Sequence, residues 1–101
     1  MVFNIVQAKK EVTRWNILRI LHIGRPDSVN EEVISRALAG ANSHVPRLKL
    51  RQEIGYLADC GLVDKQESRG QWTIRILAAG VDVVEGNQPT PAGIHRPPLE
   101  A

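Results

Sequence analysis

The sequence predicts an α+β domain, mainly α: three helices, then a two-stranded β-hairpin, then an extended Pro-rich tail. Three observations carry that expectation. Two glycine- and proline-free runs and a third framed by Pro46 and Gly61 occupy the first 60 positions. After Gly61 the apolar period changes from helical to two, and from Gly86 onward the chain holds four of its six prolines, which suit neither helix nor central strand. At 101 residues, 43% of them hydrophobic, the chain can fill one core and has no room for a second. The domain is expected over residues 1–85 and the tail over 86–101.

The first helix should span residues 5–23, a run that stops at Gly24 with Pro26 beyond. At about 100° per residue, Val6, Ile17, Ile20 and Leu21 fall on one side, and Ile5, Val12, Trp15 and Ile23 on roughly the other. Two apolar sides imply two packing partners. One is the core; the other is either the C-terminal tail or a second copy of the protein, which makes Val12 and Trp15 candidate dimer contacts. Ser28 and Glu31 have capping-box spacing, so a second helix should begin there and run through Val33, Ile34, Ala37 and Leu38 until Gly40 turns left-handed. Pro46 and Gly61 frame a third helix over 46–60, with Leu50, Ile54 and Leu57 as its inner stripe.

Residues 62–66 and 71–77 read as strands joined by turn chemistry at Ser68-Arg69-Gly70. Trp72, Ile74 and Ile76 share one face, so Trp72 is expected to be a largely buried core residue sealing the hairpin against the first helix. A short helical turn over 78–84 follows. The tail has Ile94 as its main apolar anchor and either docks or stays mobile.

The composition excludes several classes of function. Cys60 is the single cysteine, and His22, His44 and His95 are dispersed, so neither a disulfide nor a metal-ligand spacing can be built. No catalytic constellation or glycine-rich phosphate loop is visible, and no enzyme activity or cofactor is expected. Apolar runs are short, and Met1-Val2-Phe3 leads into Asn4, Gln7 and Lys9 rather than a signal-peptide core; a cytoplasmic protein without a membrane partner is expected. The net charge of +2 neither demands nor excludes a polyanion. It is unevenly spread: residues 1–25 hold Lys9, Lys10, Arg14, Arg19 and Arg25 against Glu11, while residues 26–45 are net acidic.

Helix, helix, turn, helix and hairpin is the order of a winged helix-turn-helix domain. Four segments carry a closer likeness: Arg14-Trp15-Asn16-Ile17-Leu18-Arg19-Ile20-Leu21; Leu50-Arg51-Gln52-Glu53-Ile54-Gly55-Tyr56-Leu57 leading into Gly61-Leu62-Val63; Gly80-Val81-Asp82-Val83-Val84-Glu85-Gly86; and Gly93-Ile94-His95-Arg96-Pro97. Together they resemble small winged-helix proteins of Mu-like bacteriophages and prophages, over nearly the whole chain. The resemblance implies a small phage-encoded protein of that fold, working in a bacterial host.

In such a fold the outer face of the third helix would enter DNA. Opposite the inner stripe lie Leu48, Arg51, Gln52, Gly55 and Asp59, flanked by Lys49 and Tyr56. Arg51 and Gln52 have the donors and acceptors to read guanine and adenine, while Arg47 and Lys49 reach phosphates. Lys65, Arg69 and Arg75 on the hairpin, with the basic first helix, would bracket that contact, Arg69 entering a minor groove. Double-stranded DNA is therefore the expected partner, with regulation of transcription or DNA handling as the role. Leu48 and Asp59 suit a groove less well. The rival expectation is a protein-interaction module in phage assembly or DNA packaging, with Leu48 and Tyr56 meeting a phage protein.

Overall fold

The computed structural model describes residues 4–97. The elements run α1 (Ile5–Ile23), β1 (Val29–Asn30), α2 (Glu31–Gly40), α3 (Arg47–Asp59), β2 (Val63–Ser68), β3 (Gln71–Ile76) and α4 (Ala78–Glu85). The three strands form one antiparallel sheet in the order β1-β3-β2. The α+β, mainly helical class is thus as expected, with two additions: the turn after the hairpin is a full fourth helix, and a third, two-residue strand pairs Val29 with Ile74. Two residues are too few to leave a period in sequence, which is why β1 was not foreseen.

One apolar core joins the layers. Ile17, Leu18 and Leu21 of α1 meet Ile34 and Leu38 of α2, Leu50, Ile54 and Leu57 of α3, Ile74 and Ile76 of β3, and Val83 of α4. Only the later turns of α1 take part. Ile5 and Val6 in its first turn are 63% and 62% exposed, because the helix starts before the layers that would cover it.

Two helix boundaries differ from the sequence-based expectation. Ser28 and Glu31 do not form a capping box: Asn30 caps α2 through its side chain, accepting from the Glu32 N–H at 2.7 Å, and Glu31 turns inward. Charged donors inside the fold satisfy that carboxylate better than one backbone N–H could. At the other end Asn42, at φ 56°, takes the left-handed conformation assigned to Gly40. The Ser43 N–H then donates to the Leu38 carbonyl. In α3, Pro46 is the cap rather than the first helical residue.

The hairpin turns through Arg69 and Gly70, both at positive φ, as a two-residue loop that follows the strands' twist. Trp72 corrects the expectation of a buried residue. It is only partly buried, since it lies near the hairpin tip, before β3 reaches the buried positions Ile74 and Ile76. The guanidinium of Arg51 and the ammonium of Lys65 lie 4.7 and 4.2 Å from its ring centroid.

The tail docks on its own domain. Ile94 is buried in the core cluster, the His95 N–H donates to the Glu11 carbonyl at 3.2 Å, and the Arg96 guanidinium lies over the Trp15 ring. Trp15 is consequently 7% exposed. Of the two candidate dimer contacts, the chain itself covers Trp15, leaving Val12 at 39% exposure.

Candidate nucleic-acid interface

The outer turns of α3 and the hairpin tip are built around one carboxylate. Glu31, the first residue of α2, is buried and accepts from four donors. Arg51 makes a bidentate pair with it, Nε to Oε1 at 2.9 Å and Nη2 to Oε2 at 2.7 Å. Arg47 Nε reaches Oε1 at 3.2 Å, and the Trp72 backbone N–H donates to Oε2 at 2.6 Å. The Arg51 hydrogen bonds, helped by the Trp72 N–H and by Arg47, outweigh the opposing effect of burial and hold the Glu31 carboxyl down at about 2, against an ordinary 4.5. The same hydrogen bonds raise the pKa of Arg51. Both arginines also donate to the Gly70 carbonyl, at 2.8 Å from Arg47 and 2.7 Å from Arg51. A single hub thereby fixes the hairpin tip against the first two turns of α3.

This geometry redistributes the residues expected to meet a partner. Lys49 and Gln52 on α3 are exposed, and Arg69 is exposed at the hairpin tip beside Gly70. Arg47 is exposed but spends two donor positions on Glu31 and Gly70. Arg51, expected to read bases, has its Nε and Nη2 turned inward and its side chain only 25% exposed. Two-pronged recognition of guanine would require it to leave Glu31. Lys65 caps the Trp72 ring. Arg75 is not brought to this face: it pairs with Asp64 across the strands and lines a shallow cleft with His22, Arg25 and Pro26, at the far end of the hairpin.

A second hub replaces one proposed phosphate contact. Arg14 does not face solvent with the other basic residues of α1; it is buried, its Nε 3.0 Å from Glu53 Oε1 and its guanidinium 3.7 Å from the Tyr56 ring centroid. Its Nη1 donates to the Gly93 carbonyl at 2.8 Å, and the Tyr56 hydroxyl donates to the Ala92 carbonyl at 2.6 Å. Tyr56, offered to a protein partner, is therefore engaged with the tail. A signal for these buried charges was present in the sequence. Arg14 precedes Ile17, Leu18 and Leu21 by three, four and seven residues, Glu31 precedes Ile34 and Leu38 by three and seven, and Glu53 lies between Leu50 and Leu57, all in phase with core stripes.

The described residues contain no group of three His, Cys, Asp or Glu side chains placed to hold a metal, and no helix long and apolar enough to cross a membrane. The fold and site define an α+β domain whose third helix and hairpin tip expose Lys49, Gln52 and Arg69 together with the apolar Leu48. No family model, curated protein or solved structure matches the chain significantly.

Proposed function

We propose that the chain is a non-enzymatic winged-helix DNA-binding protein, of the kind that Mu-like phages and prophages encode, acting in transcription control or DNA handling in a bacterial cytoplasm. The observation that carries this reading is the Gly70 carbonyl shared by Arg47 and Arg51, which sets the hairpin tip beside the outer face of α3. A helix and a wing so joined can engage adjacent parts of a duplex as one rigid unit. Lys49 and Arg47 contact phosphates, Gln52 reads base edges, and Arg69 reaches into the minor groove from the turn. Arg69 adds its own support: an arginine at φ 53° is held in a conformation that glycine or asparagine adopts more readily, and such strain gathers at functional positions.

The test is retention of fluorescent random-sequence duplex across a salt series at protein concentrations up to ~100 μM. Affinity should fall steeply with salt, and Lys49→Ala and Arg69→Gly should each reduce the log–log slope by about 0.9. Absence of binding even at low salt overturns the reading. One observation favours a second reading, a protein-interaction module in phage assembly or packaging: Leu48, on the α3 face, is 71% exposed. Leu48→Lys separates the two, because it should strengthen DNA retention and weaken an apolar protein contact.

A further inference from the structure

The first turns of α1, the loop between α2 and α3 and the start of α3 line an apolar trough that shares only Lys49 with the proposed DNA contact. Its larger part, a cleft of about 400 Å³, is lined by Ile5, Ala8, Val12 and Val45, with Thr13 and His44 among its polar members. A second cleft of about 260 Å³, lined by Val6 and Lys10 on α1 and Lys49 on α3, continues it across the shared residues Lys9, Thr13 and Val45. Of the six large apolar side chains left exposed among the described residues, Ile5, Val6 and Val12 belong to this trough and Leu48 sits beside it in the first turn of α3.

Its rim carries three lysines and one carboxylate, Glu53. Lys9, Lys10 and Lys49 form no ion pair among the described residues, and the two nearby carboxylates are engaged, Glu53 by Arg14 and Glu11 by Gln7. The first turns of both α1 and α3 carry no acidic side chain; Asn4 caps α1 by accepting from the Gln7 N–H, whereas α3 has no side-chain cap.

We propose that this trough docks an acidic amphipathic helix of a partner protein, apolar anchors at helical spacing filling the clefts and carboxylates meeting the three lysines. Apolar walls distinguish this occupant from a phosphate backbone, which gains nothing from Ile5, Val12 and Val45. The lysine rim distinguishes it from a second copy of the chain, which would set like charges against each other across a two-fold axis. The proposal rests on the trough and overlaps the proposed DNA contact at Lys49 alone.

The test is titration of the isotope-labelled full chain with a synthetic helical peptide of about 14 residues, leucine at i, i+3, i+4 and i+7 and glutamate on the remaining face. Amide shifts should be confined to residues 5–13 and 42–49. A scrambled peptide of the same composition should bind at least ~10-fold more weakly, as should the intended peptide to Val12→Asp and to the surface double variant Lys9→Glu/Lys49→Glu. Since both lysines are exposed, the double variant should keep the wild-type melting temperature and so report on docking alone. No saturable binding up to ~1 mM, equal binding of the scrambled peptide, or shifts elsewhere would overturn the proposal. So would displacement of the peptide by a short DNA duplex that shifts the α1 amides of residues 5–13, which lie outside the proposed DNA contact, and would assign the trough to nucleic acid. Concentration-dependent shifts at these amides in the protein alone would assign it to a second copy.

Discussion

Glu31 shows how one side chain governs the geometry of several elements. Its carboxylate receives Arg47 and Arg51 from α3 and the Trp72 N–H from β3, so protonation would loosen both attachments together. Its folded pKa of about 2 lies below the ordinary 4.5. The ionised form is therefore favoured by folding; this stabilisation is complete above about pH 4.5 and is lost as the pH falls toward about 2. Melting temperature should fall across that window more steeply in the wild type than in Glu31→Gln, which has no carboxyl to titrate. Parallel acid limbs in the two proteins would show that the pairs add no pH-dependent stability. The hub also changes how an arginine variant must be read. Arg51→Ala would leave a buried carboxylate short of two donors, so loss of DNA binding in that variant counts only if its fold is intact.

At the scale of elements, the extended tail behaves as a strap clasped by α1 and α3. Gly93 is its closest point: at φ 87° its backbone favours glycine, and an added Cβ would meet the Tyr56 hydroxyl and lie 3.0 Å from Arg14 Nη1. Gly93→Ala should destabilise the protein by about 1–3 kcal/mol through strain and overpacking. Amide hydrogen exchange should locate the damage, with the His95 N–H, bonded to the Glu11 carbonyl, exchanging faster than in the wild type. Unchanged protection there would mean that the clasp does not hold the tail. The Gly93-Ile94-His95-Arg96-Pro97 segment that carries part of the phage resemblance is thus accounted for structurally: Ile94 fills the core and Arg96 covers Trp15.

For the molecule as a whole, the tail completes the surface of α1. A chain ending at residue 85 would uncover Trp15 beside Val12, re-creating the broad apolar side that the helix shows in sequence. Such a truncated chain should melt at lower temperature and self-associate with rising concentration in sedimentation velocity, whereas the full chain should not associate through this face. An equally stable, monomeric 1–85 fragment would show that the tail is dispensable to the fold.

Local chemistry and periodicity determined the helices, the hairpin and the inner stripes: Gly24, Pro46 and Gly61 mark boundaries, and Leu50, Ile54 and Leu57 repeat at helical spacing, each signal being carried by neighbouring residues. The exposed positions of Lys49, Gln52 and Arg69 were likewise legible from helix phase and turn chemistry. Pairing across long separations was not. Whether Arg51 faces a base or Glu31, whether Arg14 faces solvent or Glu53, and whether Trp15 meets a second copy or Arg96 depends on which distant segments fold together. Helical phase marks Arg14 and Glu53 as inward-facing and Arg51 as outward-facing. Only the tertiary structure selects their partners, because a buried charge takes whichever opposite charge or carbonyl the packing of the apolar stripes delivers to it.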